Sequence, residues 1–117
     1  MLQGMEELNA ENDVTPVRKV VRDGEVAVLV SPCFGAGWST RADDAEAAVF
    51  APDVVAWVEA GKPADVDVDE AFGHYGYLGG LHDVRIEWLP VGTWFYIDEY
   101  DGAESLVVLG PDYGHLA

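Results

Sequence analysis

Val26-Ala-Val-Leu-Val30 is apolar at every position, so a strand here presents hydrophobic side chains on both faces. Such a strand belongs in the interior, with a layer packed on each side of it. That requirement constrains the fold more than any other stretch of the chain. Just ahead of it, Asp23-Gly24 tolerates the positive φ angles of a type I′ turn, so Val17–Arg22 and Glu25–Ser31 read as a two-residue hairpin.

Further along, Asp43–Phe50 (DDAEAAVF) is helix-forming, with Asp43 or Thr40 placed to cap it and acids in the first turn. Pro52 opens a second helix at its first position. Phe50, Val54, Trp57 and Val58 keep helical spacing, and Gly61 ahead of Pro63 supplies a stop. Asp65–Glu70 (DVDVDE) fits either an edge strand or the run-in to a short helix through Phe72. Phe72–Gly80 reads as an irregular, packed loop.

The last third alternates. Val84, Ile86 and Trp88 share one face of a strand, Pro90-Val-Gly92 turns the chain, and Thr93–Tyr100 sets Phe95 and Ile97 opposite Trp94, Tyr96, Asp98 and Tyr100. After Asp101-Gly102, Ser105–Leu109 completes what reads as an antiparallel meander. The expected fold is α+β: an antiparallel sheet of about five strands, with a helical insertion between strands two and three packed on one face. Residues 1–15 are expected to be a flexible tail before a single domain at 16–117, and 110–117 a short C-terminal tail.

Composition excludes more than it identifies. The chain of 117 residues is 50% hydrophobic and carries four Trp, five Tyr and four Phe, enough to fill one core. Its net charge is −16, and residues 43–117 hold sixteen acids against only Lys62 and Arg85. That field repels nucleic acid and anionic membranes and attracts basic partners. The same acidity also fits a solvated face that keeps the protein soluble. No uninterrupted apolar run exceeds five residues, against about 20 for a membrane span, and no secretory signal pattern stands at Met1–Glu7. A cytoplasmic protein is expected. Cys33, the lone cysteine, has no partner for a disulfide or a zinc pair and reads as a small buried or half-buried residue.

Two places carry candidate function. The loop Pro32–Thr40 joins a strand to a helix start, and Phe34, Gly35, Gly37, Trp38, Ser39, Thr40 and Arg41 combine pliant backbone, aromatic rings, hydroxyls and a positive charge. Amides in such a loop can hold an anion, although neither phosphate-binding glycine fingerprint is present. The second place is the aromatic, acidic strand region: Trp94, Tyr96, Asp98, Glu99, Tyr100, Asp101 and Glu104. Rings beside carboxylates suit arginine- and lysine-rich partners. His74, His82 and His115 lack the spacing of metal ligands or of a partner for Cys33, and adjacent acids in so acidic a chain carry no catalytic signal. No enzyme activity, metal or cofactor is expected.

The segments Leu29–Thr40 (LVSPCFGAGWST), Ile86–Thr93 (IEWLPVGT) and Glu99–Ser105 (EYDGAES) resemble a group of small acidic proteins of phage and prophage genomes, across Val20–Leu109. Cys33 stands where that pattern has glycine, so the resemblance implies no role for the thiol. The resemblance implies a small accessory protein acting in the host cytoplasm, of a kind that opposes host defences by binding. The leading expectation is therefore a non-enzymatic counter-defence protein whose carboxylates substitute for nucleic-acid phosphates on a basic host protein. The alternative is a binder of a small nucleotide signal through the 32–41 loop. A homo-oligomeric structural component is a third reading.

Overall fold

Asp23 and Gly24 have φ of 52° and 78°, the left-handed pair that a two-residue hairpin turn requires. They join β1 (Val21–Arg22) to β2 (Glu25–Val30), which pairs on its other edge with β3 (Arg85–Pro90) in the register Val26↔Leu89, Val28↔Glu87, Val30↔Arg85. The computed structural model describes residues 17–108 and 114–117; the expected tail at 1–15 lies outside them.

Between β2 and β3 lies the helical insertion. α1 (Ala45–Phe50) is capped by Asp44, whose carboxylate accepts the Ala47 N–H at 3.1 Å, one residue beyond the expected Asp43. Pro52 then begins α2 (Pro52–Glu59), and Gly61 follows it at φ 88°. The acid–valine alternation resolves as a helix, not an edge strand. Asp67 caps α3 (Val68–Phe72) by accepting the Glu70 N–H, and a helix is the better fit because it lets Asp69 and Glu70 sit in the first turn.

The single five-stranded sheet is not formed. Among the described residues β3 pairs only with β2, and the chain then leaves that plane to build a second sheet from β4 (Trp94–Tyr100), β5 (Ala103–Val108) and β6 (His115–Leu116), in the order β5-β4-β6. Both sheets are antiparallel and three-stranded. The physical reason is the two-sided apolar strand. Ala27 and Leu29 pack with Ile86, Trp88, Val54 and Trp57 on the helical side, while Val26, Val28 and Val30 need cover on the other. Phe95, Ile97 and Leu106 supply it, joined by Phe50 and Leu89. They do so only because the β4–β5 hairpin stacks on the first sheet instead of extending it. Each fully buried Val or Leu side chain gains about 2 kcal/mol over an exposed one, so leaving one side of β2 open would forfeit several.

β6 is the second departure. Within the segment expected as a C-terminal tail, His115 and Leu116 pair with Phe95 and Trp94 of β4. The His115 ring lies 5.4 Å from that of Phe95 and 6.2 Å from that of Phe50. Desolvation there, only partly offset by Glu46 and Asp44, holds its imidazole below the ordinary histidine range. No helix among the described residues is long and apolar enough to cross a membrane.

Candidate functional site: the loop tip and the second hairpin

The turn Asp101-Gly102, with φ of 52° and 85°, fixes the register of β4 and β5 as Tyr100↔Ala103, Glu99↔Glu104, Asp98↔Ser105 and Ile97↔Leu106. Residues directly opposite each other share a face. Trp94, Tyr96, Asp98 and Tyr100 therefore line the outward face, and Glu99 and Glu104 continue the inward face that Phe95 and Ile97 begin. Tyr96 is 38% exposed and Tyr100 75%, whereas Trp94 is half-buried.

Glu104 is the main correction to the expected site. It does not stand on the acidic surface but is 3% exposed, at the point where the apolar inner face meets the Pro32–Thr40 loop. Its Oε1 accepts the Ser31 N–H at 3.0 Å. Its Oε2 accepts the N–H groups of Trp38 at 2.7 Å and Thr40 at 3.1 Å, and the Thr40 hydroxyl at 2.6 Å. The Glu104 N–H in turn donates to the Ser31 carbonyl at 2.9 Å. A buried carboxylate needs such a set of donors in place of water. The loop does gather amides around an anion, and the anion is the chain's own.

This occupancy bears directly on the nucleotide alternative. The amides of Trp38 and Thr40 already have their acceptor. Trp38 and Ser39 are buried, and the Trp38 indole donates to the Ala48 carbonyl at 2.8 Å and meets Tyr75 edge-on at 5.4 Å. Neither the Trp38 ring nor its amide faces solvent. Arg41 donates to Glu99 at 3.0 Å and lies 5.9 Å from the centre of the Tyr77 ring. The Gly102 N–H at 2.6 Å, and Arg41 after it, hold the Glu99 carboxyl below the usual carboxylate range.

The loop is also pinned from the side of the turn. The Gly35 N–H donates to the Asp101 carbonyl at 2.7 Å, and Tyr77 donates its hydroxyl proton to the Ala36 carbonyl at 2.8 Å. A Cβ on Gly102 would lie 2.8 Å from the backbone nitrogens of Gly35 and Ala36, so loop and turn touch backbone to backbone. Only the tip escapes. Cys33 is exposed, contrary to expectation, because the Cys33–Ala36 turn carries it outward. Phe34 is 73% exposed and stands edge-to-face on Tyr100, ring centres 6.3 Å apart.

Two sites expected separately are thus one place. Phe34, Gly35 and Arg41 from the loop meet Glu99, Tyr100, Asp101 and Glu104 from the hairpin, with Asp98 beside Tyr100 on the outward face. Trp94 is not part of it: six residues along a strand put it about 20 Å from Tyr100. Gly37, Trp38 and Ser39 support the loop from within, and the exposed Thr40 ties its end to Glu104. Asp98 and Asp101 have no basic side chain within 4 Å and no side-chain hydrogen bond among the described residues.

A second cluster went unread in the sequence. Tyr75 donates its hydroxyl proton to Asp53 at 2.6 Å, His74 stacks on Tyr75 at 4.1 Å, and its Nε2 is 3.9 Å from the other Asp53 oxygen. Burial and the adjacent Asp53 raise the Tyr75 phenol well above its ordinary value. Two shallow hollows of about 310 and 340 Å³ adjoin it, sharing Arg18, Pro52 and Tyr75. Among the described residues their linings hold carboxylate, imidazole and phenol groups but no serine, cysteine or lysine. His82 lies instead against Trp57, so His74 and His82 do not share a neighbour, and no three potential metal ligands cluster among the described residues.

The chain matches no family model, no curated protein and no solved structure.

Proposed function

We propose that the protein acts by binding and not by catalysis, engaging a basic surface of another protein through the Phe34–Tyr100 tip and the carboxylates of Asp98 and Asp101. The observation that carries this reading is the tip itself: two aromatic side chains about three-quarters exposed, on a backbone locked by the Glu104 cradle. Exposed aromatic pairs are uncommon without an occupant, and a rigid mount reduces the ordering cost of binding. The surrounding charge of −14 over residues 43–117 would speed encounter with a basic partner and give the complex a steep salt dependence. Tyr96 extends the same surface along β4. In keeping with the resemblance to small acidic phage proteins, the partner would be a host protein whose basic surface otherwise meets nucleic acid.

The test is affinity capture from host lysate at low and high salt, with wild type beside the Phe34→Ala/Tyr100→Ala variant. A basic protein retained at low salt, reduced at high salt and lost with the variant is the expected result. Retention of no basic protein in either condition removes the proposal.

A further inference from the structure

We infer that the element recognised at the tip is an arginine side chain of the partner, in preference to lysine. This rests on the binding proposed above and names its chemistry. Two arginines of the chain show the pattern, while Arg85, among the described residues, pairs with Glu87 at 3.9 Å without a ring. Arg22 lies 5.6 Å from the centre of the Trp88 ring while its two terminal nitrogens donate to the two oxygens of Glu59. Arg41 lies against the Tyr77 ring and donates to Glu99. Ring, carboxylate and guanidinium make the same unit in both places.

Lysines do not enter that unit. Lys19 donates to the Leu116 carbonyl at 2.6 Å while resting over Phe50, and Lys62 donates to the His82 carbonyl at 2.7 Å. The difference follows from shape. A guanidinium is flat and weakly hydrated, stacks on a ring and keeps its forked N–H donors free for a carboxylate alongside; an ammonium is a compact, strongly hydrated point charge. At the tip, Phe34 and Tyr100 supply the rings and Asp98 and Asp101 the carboxylates, and no cation of this chain completes the set among the described residues. The tip is the third such unit, short of its arginine. Arg41, one contact away, is held by Glu99 behind the turn and stays with its own ring.

The experiment uses the full chain and two synthetic peptides of equal length and charge, one alternating arginine with glycine and the other lysine with glycine, with an acidic peptide as control. Affinities are read by titration calorimetry at low and moderate salt. The arginine peptide should bind about fivefold or more tighter than the lysine peptide. Phe34→Ala/Tyr100→Ala should abolish that preference while leaving a weaker, salt-sensitive binding common to both. Asp98→Asn/Asp101→Asn should weaken both peptides. Circular dichroism confirms that each variant is folded, as expected for changes at exposed side chains. Equal affinity for the two peptides overturns the inference and leaves the basic-surface reading standing. Binding of neither peptide above the acidic control overturns both. An arginine preference that survives Phe34→Ala/Tyr100→Ala overturns the assignment to the tip.

Discussion

The chain contains the same turn twice. Asp23-Gly24 and Asp101-Gly102 share the dipeptide, the aspartate φ of 52° and the left-handed glycine, and each closes a two-residue hairpin. Their surroundings have nothing in common. A Cβ at Gly24 would meet nothing within 4 Å, whereas one at Gly102 would strike the backbone of Gly35 and Ala36 at 2.8 Å. The first turn reverses the chain and accepts one further backbone bond, from the Val91 N–H to the Gly24 carbonyl at 2.9 Å, but carries no loop. The second is also a floor on which the candidate site is laid, with the Gly102 N–H held by Glu99, the Asp101 carbonyl by Gly35, and Glu104 three residues on gripping both ends of the loop. Local sequence sets the turn, and only the tertiary neighbours decide whether it carries anything.

The strongest way to break this contrast is to remove what grips the loop. Glu104→Ala leaves two buried and two part-buried donors without an acceptor and should cost about 3 kcal/mol, read by chemical denaturation, with the Phe34–Tyr100 pair lost in parallel. A loss under about 1 kcal/mol would show the cradle to be incidental. The comparison is sharpest in paired alanine variants. Gly102→Ala should destabilise by about 3 kcal/mol or more, since it adds a backbone clash to the left-handed strain, and Gly24→Ala by about 1 kcal/mol from strain alone. Equal losses in thermal melts would mean that the second turn is as bare as the first.

The pH predictions are smaller. His115 has its folded value depressed, so the unfolded chain takes up the proton more readily and stability falls as pH drops through and below about 6.5. His115→Phe should flatten the stability profile between pH 7 and 5. Glu99 is also depressed, so its contribution is present above the ordinary carboxylate range and is lost as pH falls through its lower folded value. Amide exchange at Gly102 should accelerate in that acid window while exchange at Gly24 does not change in step; Glu99→Gln should make Gly102 fast at neutral pH.

Much of the scaffold was legible. The two-sided apolarity of β2 required two covering layers, the Asp-Gly pairs marked both hairpin turns, and the Phe50, Val54, Trp57 spacing with Pro52 located the paired helices. The second sheet was not legible. Alternation says which residues share a face but not which strand lies alongside, so Pro90-Val-Gly92 read as one more hairpin when it is the exit from the first sheet. β6 was missed because two residues are too short for any periodic signal. Glu104 could have been placed: a two-residue turn at Asp101-Gly102 fixes Glu104 opposite Glu99 and on the face of Phe95 and Ile97. An acid on an apolar face demands donors, and the glycine-rich loop was the evident source.

Ser31 and Glu104 are 73 residues apart in the chain, yet each fixes the other's position. The Pro32–Thr40 segment therefore has no means of taking its final shape when it is made, and must wait for a strand near the other end of the polypeptide. A molecule in which β5 has not docked lacks what holds the rings of Phe34 and Tyr100 together. In refolding, that aromatic contact should not appear before the Glu104 amide is protected from exchange.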